Sequence, residues 1–445
     1  MPADVKFEVV TGTISSASST VDFTIPGFGT PKAALFTAVN GSTTGTGFGD
    51  TNDGMRECHG FWANGTQRSV GVHCQNGVAT SNTARSQSQV RCLSAPFLAG
   101  TGAELEYTAS TITDGIRLTR NIAWTGNLQV QVTLIGGADV QADGKSGTYN
   151  SGGVTGIGFE PHMAFFMTVD STSTATTAAF MSTGWAVKHP TRGLSQQTMG
   201  YNANDAAGIA TLGVIHQNNC ALAIPSSSTA YLLNFAQVTA MDTTSSGRVT
   251  WSKGTSSTDL IYVMSLRFNN MTADDDFGID DFARSKALGV VDYSFTPTNT
   301  AGSPIQYARI ETFADGPGQN STDLFCGYGK GTAVVDAKGT SHSVAPHDED
   351  GNTTMNCGNR VSSDFTISND AQSATYWATM DLATSGTSIE LGTLGSNADI
   401  EGYAIWYATV TVEADNVYKG STLLTNIFKG TDIVSAVYNG STQLY

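Results

Sequence analysis

The sequence predicts an all-β protein of three tandem β-sandwich modules followed by a short C-terminal strand-rich tail, and three observations carry that expectation. Charged residues make up only 13% of the 445 positions while Gly alone fills 49. That balance withholds the Glu and Lys that surface helices need and suits strands joined by turns. One unit recurs three times along the chain. Each copy closes on an apolar run of strand length. Short strands bounded by Gly, Asn and Ser clusters point to sandwiches of jelly-roll or immunoglobulin-like type.

The first module, 1–138, opens on Val21-Asp22-Phe23-Thr24-Ile25-Pro26-Gly27-Phe28-Gly29-Thr30-Pro31-Lys32-Ala33-Ala34-Leu35-Phe36. The second, 139–284, repeats this as Gly156-Ile157-Gly158-Phe159-Glu160-Pro161-His162-Met163-Ala164-Phe165-Phe166. A weaker third copy, within 285–414, is Ala301-Gly302-Ser303-Pro304-Ile305-Gln306-Tyr307-Ala308-Arg309-Ile310, so Pro31, Pro161 and Pro304 align. A second landmark sets Tyr107 beside Tyr231 and Tyr376, and Cys92, Cys220 and Cys357 fall late in the three copies.

The closing runs are Leu128–Leu134, Leu260–Leu266 and Tyr403–Val410. The first alternates strictly, as a half-buried strand does, whereas the other two are apolar on both faces, as a covered central strand is. Gly136-Gly137-Ala138-Asp139 ends the first module and 269–277 ends the second; the Asp-rich stretch 274–286 reads as a solvated linker with room for one short helix. Modules joined in series predict an elongated object.

The tail, 415–445, carries its own repeat. Val417-Tyr418-Lys419-Gly420-Ser421 returns as Ile427-Phe428-Lys429-Gly430-Thr431 and as Val437-Tyr438-Asn439-Gly440-Ser441, a step of ten residues. A β-branched and aromatic pair, a polar residue and then Gly describe a strand entering a tight turn. Three such units hold little core, so packing on the third module or on neighbouring subunits is expected, with Tyr418, Phe428, Tyr438 and Tyr445 as the assembly contacts.

Composition excludes several function classes. Acidic residues outnumber basic ones 38 to 22, a formal charge of −16 without clustered Lys and Arg, which argues against nucleic acid. No window nears the ~18–20 apolar residues of a membrane span, and the opening Met1-Pro2-Ala3-Asp4-Val5-Lys6 lacks a basic-then-apolar leader, so folding without secretion or membrane insertion is expected. Six cysteines are too few for a disulfide framework, and buried reduced thiols are expected.

Candidate chemical sites each meet a plainer reading. Cys58-His59 and His73-Cys74 offer four metal-ligand types across one predicted hairpin, but adjacent strand residues face opposite ways. Asp348-Glu349-Asp350-Gly351-Asn352 has calcium-type donors, with its Gly too early and no closing Glu. Gly327-Tyr328-Gly329-Lys330-Gly331-Thr332 lacks the following helix of a phosphate loop. Glu104 and Glu106 share one strand face rather than flanking a cleft. No nucleophile elbow or triad spacing appears among the seven His. These readings predict no enzyme activity, no cofactor and no metal.

The tail, with its aromatic-x-Gly-Ser/Thr units and terminal Thr442-Gln443-Leu444-Tyr445, resembles the C-terminal tails of minor tail and fibre-associated proteins of tailed bacteriophages. That resemblance covers 415–445 and implies a place in a virion, assembled in the bacterial host cytoplasm, rather than a chemistry. It implies other virion proteins as partners and a symmetric homo-oligomer, a trimer or higher ring. Trp62, Trp185 and Trp377 suit either core packing or stacking on host-surface glycans. The rival expectations are a head decoration or head-fibre protein, and a carbohydrate-binding or glycan-hydrolysing protein.

Overall fold

The computed structural model describes residues 4–40 and 55–284 apart from 76, 81, 97–102, 123–125, 172–178, 206–211, 226–231, 255 and 270–275, and beyond 284 chiefly the strands. Side chains of the third module are described over 276–281, 305–311 and 402–408. The chain is all-β and multi-sandwich, as expected. The 3-10 turn Tyr149–Ser151 is the one helical element among the described residues, and none of these residues forms a helix long and apolar enough to cross a membrane.

In the first module β1 (Lys6–Ile14), β2 (Thr20–Thr24), β3 (Ala33–Asn40), β4 (Met55–Ala63), β5 (Thr66–Cys74), β6 (Thr83–Ser88), β7 (Leu93–Pro96), β8 (Ala103–Ile112), β9 (Gly115–Ile122) and β10 (Leu128–Gly136) make two sheets. Their orders are β1-β10-β3-β4-β5-β6 and β2-β9-β8-β7. The second module repeats this with β11 (Val140–Thr148), β12 (Gly153–Thr155), β13 (Met163–Thr168), β14 (Ala179–His189), β15 (Gly193–Ala203), β16 (Leu212–Gln217), β17 (Leu222–Pro225), β18 (Leu232–Asp242), β19 (Arg248–Lys253) and β20 (Leu260–Phe268). The third uses β21 (Phe277–Arg284), β22 (Tyr293–Phe295), β23 (Ile305–Ala314), β24 (Ala333–Asp336), β25 (Ser341–Asp348), β26 (Cys357–Ser362), β27 (Phe365–Ile367), β28 (Tyr376–Leu382), β29 (Ile389–Gly392) and β30 (Ile400–Ala408). All three share one strand order, six strands over four.

The pleat of each large sheet serves two cores. Phe36, Val132 and Leu134 turn inward against Phe23, Tyr107 and Leu118 of the small sheet, and Phe166 and Val263 do the same against Val238 and Trp251. The alternate residues face a single shared cluster that joins Leu35, Phe61 and Val72 to Phe165, Trp185 and Met264 and to Tyr307, Tyr403 and Ile405. The three large sheets therefore pack their outer faces on one another around a common axis. The expected elongated arrangement is corrected: exposing three such faces would leave far more apolar surface in water than a stable monomer carries.

The junctions follow one rule. Strand β11 lies against β4 and β5, β21 against β14 and β15, and β1 against β23 and β24, so each module's first strand packs on the preceding module. Head-to-tail contacts of this kind close into a ring when the rotation allows, and here it closes after three. Equivalent rungs carry equivalent bonds: the Tyr262 hydroxyl donates to Gln87 Oε1 at 2.9 Å, and the His216 ring stacks on Tyr403 with centroids 6.1 Å apart.

Several expectations change. Strand β10 is buried over its whole length, not half-buried, because its alternate polar residues turn toward the axis instead of water; Gln129 accepts from the hydroxyl of its cross-strand partner Thr13 at 3.0 Å, and Thr133 accepts from Tyr307 of the third module at 3.5 Å. The stretch 277–284 is not linker but the strand β21, paired with β30 in the third module's sheet, so the boundary at 284 moves back before Phe277. Its acidity is absorbed locally, as the Trp406 indole donates to Asp280 at 2.6 Å. Leu93 pairs with Tyr107 and Leu222 with Ala236, so the counterpart of Tyr107 is Ala236, not Tyr231. Cys357 opens β26, the sixth strand of its module, so it does not match Cys92 just before β7.

Glycines let the two sheets of a module touch at the backbone. A Cβ on Gly60 would lie 1.8 Å from the Cys92 carbonyl oxygen, and one on Gly200 would lie 1.8 Å from that of Ala223. In the tail, the pairs β31 (Val417–Lys419) with β32 (Thr422–Leu424), β33 (Phe428–Lys429) with β34 (Asp432–Ile433), and β35 (Tyr438–Asn439) with β36 (Thr442–Gln443) form three hairpins at the ten-residue step.

Candidate functional site

Where the three large sheets meet, a buried polar cluster crosses the module boundaries. Arg309 bonds Glu311 through Nη2 at 3.0 Å and Nε at 3.2 Å, and its Nη2 donates to Thr37 Oγ1 of the first module at 3.3 Å. Glu311 Oε2 accepts from Thr183 of the second module at 3.0 Å and from Tyr403 at 2.6 Å. His59 links Thr37 and Glu57, both also buried. A buried pair with its bonds made in this way fixes the relative register of packed elements more than it adds stability.

One end of the axis is closed by rings. Phe7 stacks on Tyr307 at 4.8 Å and lies 5.3 Å from Tyr407. Phe277 stacks between His162 at 5.7 Å and His189 at 6.2 Å. Burial lowers His162 to about 4, with Arg267 adding to the shift, and burial likewise brings His216 to about 4.

A cleft of about 470 Å³ opens between the first and second modules. Trp62 at the end of β4 and Phe159 ahead of β13 are half-buried in its walls, and Lys32, Asn64, Thr111 and Gln141 supply polar groups. Asn64 sits at a left-handed turn position, φ 46°, at the tip of the β4–β5 hairpin. Such a volume falls within the ~300–1,000 Å³ typical of small-molecule sites, which also pair aromatic walls with a few polar groups.

The structure parts most of the residues singled out in sequence. Cys58 lies in the first sandwich core and Cys74 in the axial core, while His59 faces the axis and His73 Nδ1 accepts from Arg56 Nη2 at 3.3 Å. The pleat thus divides the Cys-His pairs between two faces. Cys58, Cys74, Cys92 and Cys220 are buried thiols outside any disulfide, and burial pushes the Cys58 and Cys220 thiols up to about 12. Glu106 is held by Arg91 at 2.9 Å on the surface strand β8; the side chain of Glu104 lies outside the described residues.

Asp348 ends β25, and 349–352, 327–332, Asp274 and Asp275 fall outside the described residues. Trp185 is packed in the axial core, and Trp377 lies on β28 with its side chain outside the described residues. Tyr418, Phe428 and Tyr438 lie on the tail strands, and Tyr445 lies outside the described residues. The cleft was not anticipated as a site; Trp62 was its only signal.

Fold and cleft together define an all-β body of three quasi-equivalent sandwiches with a cleft at the junction of the first and second. No family model matches the chain, and no curated protein matches it. Among solved structures it aligns with the Faustovirus major capsid protein over 92% of this chain and 90% of that one, at 8% identity and a TM-score of 0.15. A similarity of that size carries no argument about fold or role.

Proposed function

We propose that this chain is a non-enzymatic structural component of a tailed-phage virion, associated with the tail, baseplate or fibres, and that its exposed surface contacts the host. The observation that carries the reading is the closed threefold body. Three sandwiches spend their large apolar faces on one another, and the polar groups at the centre are bonded to each other across modules. Such a body supplies shape and outward-facing loops. Virion parts are commonly symmetric, and a ring of three modules in one chain suits a site of matching symmetry.

The tail supports the same reading. Its ten-residue hairpins resemble the ends of phage tail proteins, and two-stranded hairpins of that size need a neighbour for stability. Other virion proteins supply that neighbour, and a trimer or higher ring of this chain is a further source. The test is immunogold electron microscopy of purified particles with antibody to the 1–414 region. Gold on the tail is the expected result, gold on the head moves the assignment to a decoration or head-fibre protein, and unlabelled particles that lack the chain by mass spectrometry overturn it.

A further inference from the structure

The cleft lies at the one of three equivalent junctions whose first strand brings no ring to the shared rung. Along the ladders, Phe7 pairs with Ile135 and through it Ala33, Ala142 with Leu266 and through it Met163, and Phe277 with Tyr407 and through it Tyr307. Those three first-strand residues occupy the same rung. At two junctions the rung holds Phe, stacked on Tyr307 in one case and between His162 and His189 in the other. At the junction of the first and second modules it holds Ala142, and the cleft lies there.

The preceding module changes in step. Asn64 N–H donates to the Lys32 carbonyl as Lys188 N–H does to that of His162, so Lys32 stands where the second module has His162, and Gly65 where it has His189. The rung that pairs Ala34 with Trp62 pairs Ala164 with Ala186 in the second module. Relative to the junction of the second and third modules, three rings are therefore missing here, and one large ring, Trp62, stands at the wall where the second module has Ala186. Trp62 packs on the first module's sandwich core and Phe159 on the second's, and because each is only half-buried, part of each ring is left facing the cleft.

The lining has a definite chemistry. Trp62 and Phe159 offer ring faces from opposite modules, while the side chains of Lys32, Asn64 and Gln141 bond no protein group among the described residues. No carboxylate lines the cleft, and Lys32 is the one cation in its wall, in a chain of net charge −16. Ring faces accept the C–H face of a pyranose, side-chain amides take its hydroxyls from either direction, and an ammonium pairs with an acid group.

We propose that this cleft binds a carbohydrate residue bearing a carboxylate, its ring against Trp62 and Phe159 and its acid group toward Lys32. The proposal rests on the adhesive part of the function above and names its site and ligand class. Particle labelling tests the virion reading separately, so a chain found on the tail that binds no sugar would sink only this step.

The experiment is titration of the full chain with oligogalacturonate and oligoglucuronate, each against a neutral oligosaccharide of the same length, read by calorimetry and by tryptophan fluorescence. The acidic sugars should bind at least tenfold more tightly than the neutral ones, with a preference that shrinks as salt is added. Trp62→Ala should weaken binding at least tenfold, and Lys32→Gln should abolish the acid preference while leaving the weaker neutral binding. Ala142→Phe, which restores the ring found at the other two junctions, should block the cleft. Should that variant fail to fold, the exposed Lys32 and half-buried Trp62 changes still decide the matter. No binding by any of these sugars, equal affinity for acid and neutral forms, or binding untouched by Trp62→Ala would each overturn the proposal.

Discussion

Replacing Gly60 by Ala tests whether the two sheets of a sandwich are held at backbone contact. The added Cβ would stand 1.8 Å from the Cys92 carbonyl oxygen, 2.8 Å from its carbon and 2.9 Å from the Arg68 oxygen. An ordinary contact is 3.4 Å or more, so β7 must retreat by about 1.5 Å, and no rotamer change relieves a clash between backbone atoms. Cys92 is also tied by its N–H to Tyr107 at 2.9 Å. Overpacking of this kind costs about 1–3 kcal/mol, and the rigid partner places this case near 3. For a cooperative unit of about 400 residues that is a fall in Tm of roughly 3–4 °C. The control is Gly65→Ala, where φ is +85° and nothing lies within 4 Å, so only the left-handed backbone costs, about 1 kcal/mol. Urea denaturation followed by tryptophan fluorescence measures both. A Gly60→Ala protein within 0.5 kcal/mol of the parent (about the scatter of surface substitutions) would refute the argument that the sheets meet at the main chain.

Two further outcomes follow from the axial core. Glu311→Ala should cost about 3–5 kcal/mol by leaving Arg309 buried without its carboxylate, while Arg309→Met with Glu311→Leu should recover much of that in the same denaturation assay; a double variant as unstable as the single would count against the reading. His162 and His216 are each lowered to about 4 by burial, so as pH falls from about 6.5 the unfolded chain takes up protons the fold refuses. Stability is therefore full above about 6.5, declines by about 2 kcal/mol per His by pH 5, and levels off below about 4. The slope between pH 6.5 and 5 should flatten in His162→Gln and His216→Gln, and an unchanged slope would reject this assignment.

The strands and their threefold recurrence were legible because periodicity is a local signal: the closing runs 128–134 and 260–266 lie within β10 and β20. The meaning of that periodicity was not local. Gln129, Gln131 and Thr133 read as solvent-facing because polar residues at alternate positions usually are, yet all three are buried, and the hydroxyl that reaches Thr133 comes from Tyr307 of the third module. The doubly apolar Tyr403–Tyr407 did register a second buried face, but a single sequence could not name what covers it. Phe277 and Ile279 were hidden by neighbouring Asp residues, although their spacing by two suits a strand. The cleft was illegible for another reason: it depends on a ring absent at 142, and absence has meaning only once the ladders show that 7, 142 and 277 are one position.

Joining the three sandwiches covalently changes what the central core can do. In a trimer of identical chains, dilution would drive dissociation, and any substitution made for one seam would be copied into all three. Here assembly is unimolecular, independent of concentration, and each seam is encoded separately. One seam can therefore drift in composition toward a specialised task while the other two keep their rings, without the threefold penalty that symmetry would impose on every step of that divergence.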